Sequence, residues 1–483
     1  MSTPPAVPAL AAKRMTMVWA ATTLAVFLIL IVLGLVMRLT QAESLRLRPD
    51  TFYAVMTLHG LGMAGTLFVG GLAAVWYRAL RYVQPSLAMF RATYGLVLAG
   101  TAGLIVATLV GRFGPGWYLL YPLPFIQIWP HWSIGLAVVS LLVLGLAWLL
   151  GQADLLRAYV ARYGASRVLG WQYLRGTPPD DPLPPFILIS TVAMLAGALT
   201  TVVGAVELIL YLFQWFAPAL HFDALLLKNM VFLFGHTLVN ITMYLGVALI
   251  YERLPVYTGR QWHTNRVVVL AWNTTLALVL LAFFHHLYMD FAQPQALQVI
   301  GQVASYLSAV PSTVVTMFGV ASQVYRSGIR WRFAPLTFYA GTVGWAVGGF
   351  AAVVDSTIMV NSVFHNTLWV PGHFHTYFLV GYVLMMLGAF HEILAPLAEA
   401  RAKAGLVSLL VGGYGFVTMF YLGGVYGVPR RYASYASIPI PQLAEAGRTL
   451  AGYAVYFIGL VILGLLLYAA AVFGGWRRSW QEA

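Results

Sequence analysis

Six of the eleven histidines in this chain lie inside long apolar runs: His59, His236, His285, His286, His373 and His375. An ionisable side chain at membrane depth is expensive and marks function by default. Neutral imidazole ligates iron, copper and zinc. The spacing sorts the six. In "VPGHFHTYF" two histidines stand two residues apart, so on a helix they point about 200° apart and serve two different centres. In "FGHTLVN" and "AFFHHLYMD", His236 and the adjacent His285 and His286 offer three imidazoles from two helices, a nitrogen-rich site for one metal, copper by ligand type. In "TLHGLGMAG", His59 is flanked by small residues that let a flat macrocycle approach the backbone. The other histidines read differently. His221, His263 and His391 fall in loops or at helix ends and are expected to be solvated. His131, between Trp129 and Trp132, is expected at the membrane interface. His365 lies a few residues ahead of the His373/His375 pair.

The elements that must carry these rings follow from composition. The chain has 483 residues, 61% hydrophobic and 8% charged, far less charge than a water-soluble domain carries. Apolar runs of about 20 residues or more recur along its length, each long enough to cross a bilayer. Backbone satisfaction in lipid then makes the spans helical. The expectation is an all-α, polytopic membrane protein forming a single integral-membrane domain over 1–483. It has twelve helices near 15–37, 52–77, 89–111, 129–151, 184–215, 227–251, 266–289, 300–325, 334–360, 372–397, 404–425 and 450–474. The first is too long and lacks the cleavage site of a signal peptide. The net charge of +13 does not point to nucleic acid, because most basic residues sit in short loops on the side of the amino terminus. Read by the positive-inside rule, they place both termini in the cytoplasm of a cell-membrane protein. There is no cysteine, which excludes thiolate metal sites, disulfides and thioether-linked heme within this chain.

On these residues the chain resembles the catalytic subunit of the heme–copper oxidase superfamily over nearly its whole length. The resemblance implies that His59 and His375 ligate a low-spin heme and that His373 ligates a high-spin heme. It implies that His236, His285 and His286 hold the non-heme metal, copper in preference to iron. "GVPRRY" matches the arginine pair that neutralises heme propionates, here Arg430 and Arg431; buried carboxylates need such donors on general grounds. "FHNTLWVPGHFH" is similar to the B-type branch, which implies that His365 and Asn366 lie on the propionate side, with Asp290 near the same outer water.

The pattern also departs from its relatives. Oxygen-reducing members carry a tyrosine four residues after the helix-six histidine, and here that position is Asn240. Another branch places it six residues before the histidine pair, and here that position is Val279. An amide cannot be a redox donor. Nitric oxide reductases of the superfamily also lack this tyrosine, so the resemblance implies a nitric oxide reductase variant in which Asn240 orients the substrate or a proton-carrying water. A cytochrome c oxidase subunit I reducing O2 is the alternative, with Tyr306 or Tyr244 as phenols that could reach in. A transporter or heme-handling protein is a third reading, distinguished by the absence of stoichiometric heme. Tyr244, Tyr251, Ser312 and Thr316 could carry protons, although Val315 takes the place of a proton-carrying residue. Glu207 is either a relay or a carboxyl bonded to a helix neighbour. Lys228 is expected to snorkel to the interface. With no cysteine, electrons must enter from a partner, a subunit II of cupredoxin or cytochrome c type, or from quinol.

Overall fold

The computed structural model of the protein describes residues 9–176, 181–394 and 398–481. Parts of three sequence readings lie outside the described residues: the tail at 1–8, the middle of the turn-rich loop at 177–180, and the end of the tenth span at 395–397. The side chains of Arg477 and Arg478 do too.

Among the described residues twelve helices are long and apolar enough to cross a membrane. They are Ala9–Gln41, Pro49–Ala79, Leu87–Val110, His131–Tyr163, Pro185–Phe216, Ala224–Thr258, Arg266–Leu287, Gln295–Val324, Phe333–Asp355, Trp369–Leu394, Glu399–Val425 and Pro441–Trp476. They are numbered one to twelve in that order. The count is as expected, and most helices overshoot their apolar runs, helix four reaching Tyr163 rather than 151. Helices are not obliged to end where hydrophobicity ends; they end where the backbone is capped. Asp223 accepts from Leu226 N at 2.6 Å to start helix six, and Asn265 does the same for helix seven from Val268 N at 3.0 Å. Pro49 and Pro185 open helices two and five, where proline's missing N–H is not needed. Gly259, at φ 69°, stops helix six. Helix nine departs the other way. It ends at Asp355, and a separate short helix, Ile358–Phe364, follows.

Successive helices pack as neighbours, and helix one closes against helix twelve. Helix ten is the most enclosed, its most apolar window 89% buried, against 33% for helices one and eight. Its first turns are α-helical to His375, and Thr376–Tyr382 is a π-helical segment, a local irregularity frequent at functional sites. Outward-facing Phe318, Phe350 and Phe473 are exposed, an apolar belt suited to lipid tails rather than water.

The end of the bundle that carries both termini is tied by charge. Glu392 accepts from Arg78 Nη2 at 2.6 Å, Arg253 Nε at 2.7 Å and Tyr257 Oη at 2.5 Å, with its side chain only 7% exposed. This joins helices two, six and ten. His391 corrects the expectation of a solvated residue. It is buried, stacks on Phe333 at 4.5 Å between centroids, and pairs with Glu399 at 3.3 Å. Its helix runs inside the bundle, so a position near the helix end is still covered. His221 and His263 are exposed as expected. His131 is exposed and stacks on Trp215 at 5.2 Å.

Candidate functional site

A cavity of about 320 Å³ lies within the bundle, and all six intramembrane histidines line it. His236, His285 and His286 form one group, their available ligand atoms all within 4.8 Å of one another. His236 Nδ1 lies 3.3 Å from His286 Nε2, and the His285 and His286 ring centroids are 4.1 Å apart. The two adjacent histidines sit in a terminal 3-10 turn, Phe283–Leu287, not in the regular α-helix the sequence suggested. His285 Nδ1 is held by Ser305 Oγ at 2.9 Å, an outer partner of the kind that orients metal-ligating imidazoles. Three converging neutral nitrogens with no carboxylate among them fit a borderline metal such as copper.

The remaining three rings share a second device: each pins Nδ1 on a backbone carbonyl and leaves Nε2 free. His59 bonds Leu30 O at 2.7 Å, His375 bonds Pro371 O at 2.7 Å, and His373 bonds Gly348 O at 3.0 Å. Such a bond fixes the tautomer and aims the other nitrogen as a ligand. His59 and His375 oppose each other with centroids 6.5 Å apart and planes 19° from parallel. Two metal–imidazole bonds of about 2 Å each plus the half-widths of two rings span roughly that gap. The pair would therefore hold one heme iron between them. His373 lines the part of the cavity shared with His236. The expected opposite aim of His373 and His375 holds: one ring bonds helix nine, the other stacks toward Phe420 of helix eleven. Small residues make the room. A Cβ on Gly34 would meet His59 Cε1 at 3.0 Å, and one on Gly60 would meet Trp117 Cβ at 2.6 Å.

Arg430 and Arg431, in the loop between helices eleven and twelve, line the cavity at the end opposite the termini. Arg430 N bonds Asn366 O at 2.9 Å and Arg430 Nη2 bonds Asn366 Oδ1 at 3.1 Å, so the loop of His365 and Asn366 does lie against the arginine pair. Asn366 and Arg431 both take positive φ, 60° and 73°, strain of a kind that collects at functional corners. Burial, and then the neighbouring Arg431, pull Arg430 down to about 10. Burial and then Arg430 pull His365 down to about 4. Arg430 Nε is buried without a partner. Two half-buried cations with no ion pair among the described residues, at the rim of the cavity, fit heme propionates.

One sequence reading needs revision. Lys228 does not snorkel: its Nζ meets Asp290 Oδ1 at 2.7 Å, with side chains 29% and 23% exposed. The partner carboxylate, four residues past His286, is close enough to outcompete the interface. Glu207 is buried and does not line the cavity; its Oε1 is unpartnered, but its carboxyl hydrogen-bonds Tyr211 one turn on, the helix-neighbour reading of the two. Its neighbour Tyr211 donates to Leu119 O at 2.8 Å.

Asn240 sits against His236, its Nδ2 3.2 Å from His236 Nε2 and 2.8 Å from His236 O. No phenol is bonded to a metal-site histidine among the described residues. Tyr306 bonds Thr357 at 2.6 Å, and Tyr244 packs edge-on to Trp272. The sequence reading missed Tyr377, whose hydroxyl donates to Asn240 Oδ1 at 3.2 Å. Its position four after His373 on a helix was the available signal. It also missed Arg38, which lines the cavity from helix one and lies over Phe420. A polar file leads from the terminal side: Thr258 Oγ1 bonds Gln323 Oε1 at 2.7 Å and Tyr251 Oη meets Thr316 Oγ1 at 3.2 Å. Ser312, Ser308 and Tyr244 line the cavity beyond.

Comparison with known proteins agrees with this geometry. The family model described as cytochrome c and quinol oxidase polypeptide I matches residues 14–465. Cytochrome c oxidase subunit 1 of Thermus thermophilus is 27% identical over 293 residues, 56% of this chain and 52% of the relative. The heme–copper oxidase subunit I+III of Aeropyrum pernix is 24% identical over 486 residues, 96% of this chain and 57% of the relative. The matched region is thus about half the length of these curated relatives. A solved heme–copper terminal oxidase dimer has the same fold, with a TM-score of 0.78 at 19% identity, covering 96% of this chain and 84% of that one.

Proposed function

Because the chain belongs to the cytochrome c and quinol oxidase polypeptide I family, and so to the subunits I of heme–copper oxidases, we propose that it is the membrane subunit of a respiratory terminal reductase whose substrate is nitric oxide. The whole described chain serves as one membrane domain, with both termini in the cytoplasm. His59 and His375 hold a low-spin heme, His373 a high-spin heme, and His236, His285 and His286 a copper ion. Arg430 and Arg431, backed by His365 and Asn366, take the propionates. When bound, these groups supply the electrons and the coordination of a diatomic gas.

The observation that carries the substrate assignment is Asn240 against the His236 ring. Converting two NO to N2O and water consumes two electrons and two protons, and no protein radical is needed. The residues around the gap then have three tasks. Asn240 offers an amide to orient the substrate or a water. Ser308, Ser312, Thr316, Tyr244 and Tyr251 bring protons from the terminal side. The apolar wall of Trp117, Phe232 and Phe374 keeps bulk water away. Electrons arrive from a partner subunit II of cupredoxin or cytochrome c type, docked at the outer face near the arginine pair, or from quinol.

An oxygen reductase is the second reading. The relatives named cytochrome c oxidase favour it, as does Tyr377, a phenol one amide away from His236. Reduced-minus-oxidised spectra should show two hemes per chain. Anaerobic turnover with NO, compared with aerobic turnover of O2 by the same preparation, separates the readings: N2O formation with little O2 uptake supports the first, and the reverse result refutes it.

A further inference from the structure

Asn240 is reached from two sides, and only one of those partners belongs to its own helix. The amide nitrogen bonds the His236 carbonyl one turn earlier. The amide oxygen is held by Tyr377 of helix ten, 137 positions along the chain. Tyr377 is buried, and its ring lies 6.1 Å from that of His373. The backbone beneath it is close-packed: a Cβ on Gly348, whose carbonyl already holds His373, would sit 2.8 Å from Tyr377 N. The phenol therefore has little freedom to leave its place.

An amide with one strong local bond can still swing about its last torsion, which is broad and roughly two-fold. A hydroxyl stops that swing in either amide orientation, because it can donate to Oδ1 or accept from Nδ2. A phenyl ring can do neither. We propose that Tyr377 is a positioning residue that acts through Asn240, holding the amide edge toward the gap between His373 and the three-histidine group and so setting how a bound diatomic molecule is oriented. This deepens the heme-and-metal reading above and rests on it.

Carbon monoxide is a suitable probe, since it enters the same gap and its stretching band reports nearby dipoles. The reduced, heme-loaded protein should give one narrow C–O band. Tyr377→Phe should broaden or split that band, as the amide samples more than one orientation. Asn240→Ala should move the band, and adding Tyr377→Phe to Asn240→Ala should change nothing further. Tyr159→Phe, at a buried phenol that bonds Ser190 and does not line the cavity, should leave the wild-type band in place. Heme absorbance measured on each variant shows that the site is loaded. The idea is overturned by an unchanged band in Tyr377→Phe, or by an equal effect of Tyr377→Phe with and without Asn240. A wild-type protein that loads heme but forms no carbonyl adduct overturns instead the underlying reading of the site.

Discussion

Two of the three metal-site imidazoles sit on a short 3-10 turn, and the Lys228–Asp290 pair is what staples the chain just beyond that turn to helix six, which carries the third. The N–O separation is 2.7 Å, with side chains 29% and 23% exposed. Beside it, Gln293 Nε2 reaches Asn229 Oδ1 at a long 3.4 Å, which adds little. Exposed ion pairs contribute about 0–1 kcal/mol, whereas breaking a buried pair costs about 3–5 kcal/mol. A pair about three-quarters enclosed falls between, at about 2 kcal/mol. If Lys228→Met frees the Asp290 end, the cost of displacing His285 and His286 from His236 drops by that amount. At 1.4 kcal/mol per tenfold this is about a 30-fold weaker hold on the metal. The assay is a chelator challenge of the purified protein, with metal per chain measured by mass spectrometry. Lys228→Met and Asp290→Asn should each release metal at roughly 30-fold lower chelator, and the swapped pair Lys228→Asp with Asp290→Lys should recover part of the loss. Raising salt should matter little, because the pair is mostly shielded from solvent. Retention within threefold of wild type in Lys228→Met, or a swap no better than the single changes, would refute the reasoning.

Three further outcomes can be checked. Glu392→Ala removes the carboxylate that both mostly buried Arg78 and Arg253 bond, leaving them only the carboxylate of Glu252 nearby, which bonds neither, so thermal unfolding in detergent should show a loss of about 3 kcal/mol; a loss below about 1 kcal/mol contradicts the role assigned to Glu392. Gly348→Ala puts a Cβ 2.8 Å from the backbone of Tyr377, while Gly95→Ala, on the exposed side of helix three and away from the cavity, meets nothing within 4 Å, so heme per chain, read as a pyridine complex, should fall from two toward one in the first and stay at two in the second. Arg430→Gln removes a half-buried charge at the rim of the cavity, and redox titration should find the heme midpoint potentials lowered by some tens of millivolts, the order expected for one unit charge acting through an effective dielectric near 20.

Most of the architecture is legible without coordinates because lipid leaves the backbone few choices. Twelve apolar runs become twelve helices, and the histidines within them must be paired, ligating or bonded. The aim of His373 and His375 to opposite sides follows from helical rotation alone. Tertiary structure decided what depends on a neighbour from a distant helix. Lys228 looked like a snorkelling cation until Asp290 was placed beside it, and His391 looked solvated until Phe333 and Glu399 covered it. The carbonyls that fix His59 and His373 belong to helices one and nine, and nothing in a backbone oxygen's own sequence marks it for that use. The same holds for Tyr377. Its place four residues after His373 is visible in the chain, but its bond to Asn240 exists only because helices six and ten cross at that depth, and helix crossing is set by packing that one-dimensional periodicity does not encode.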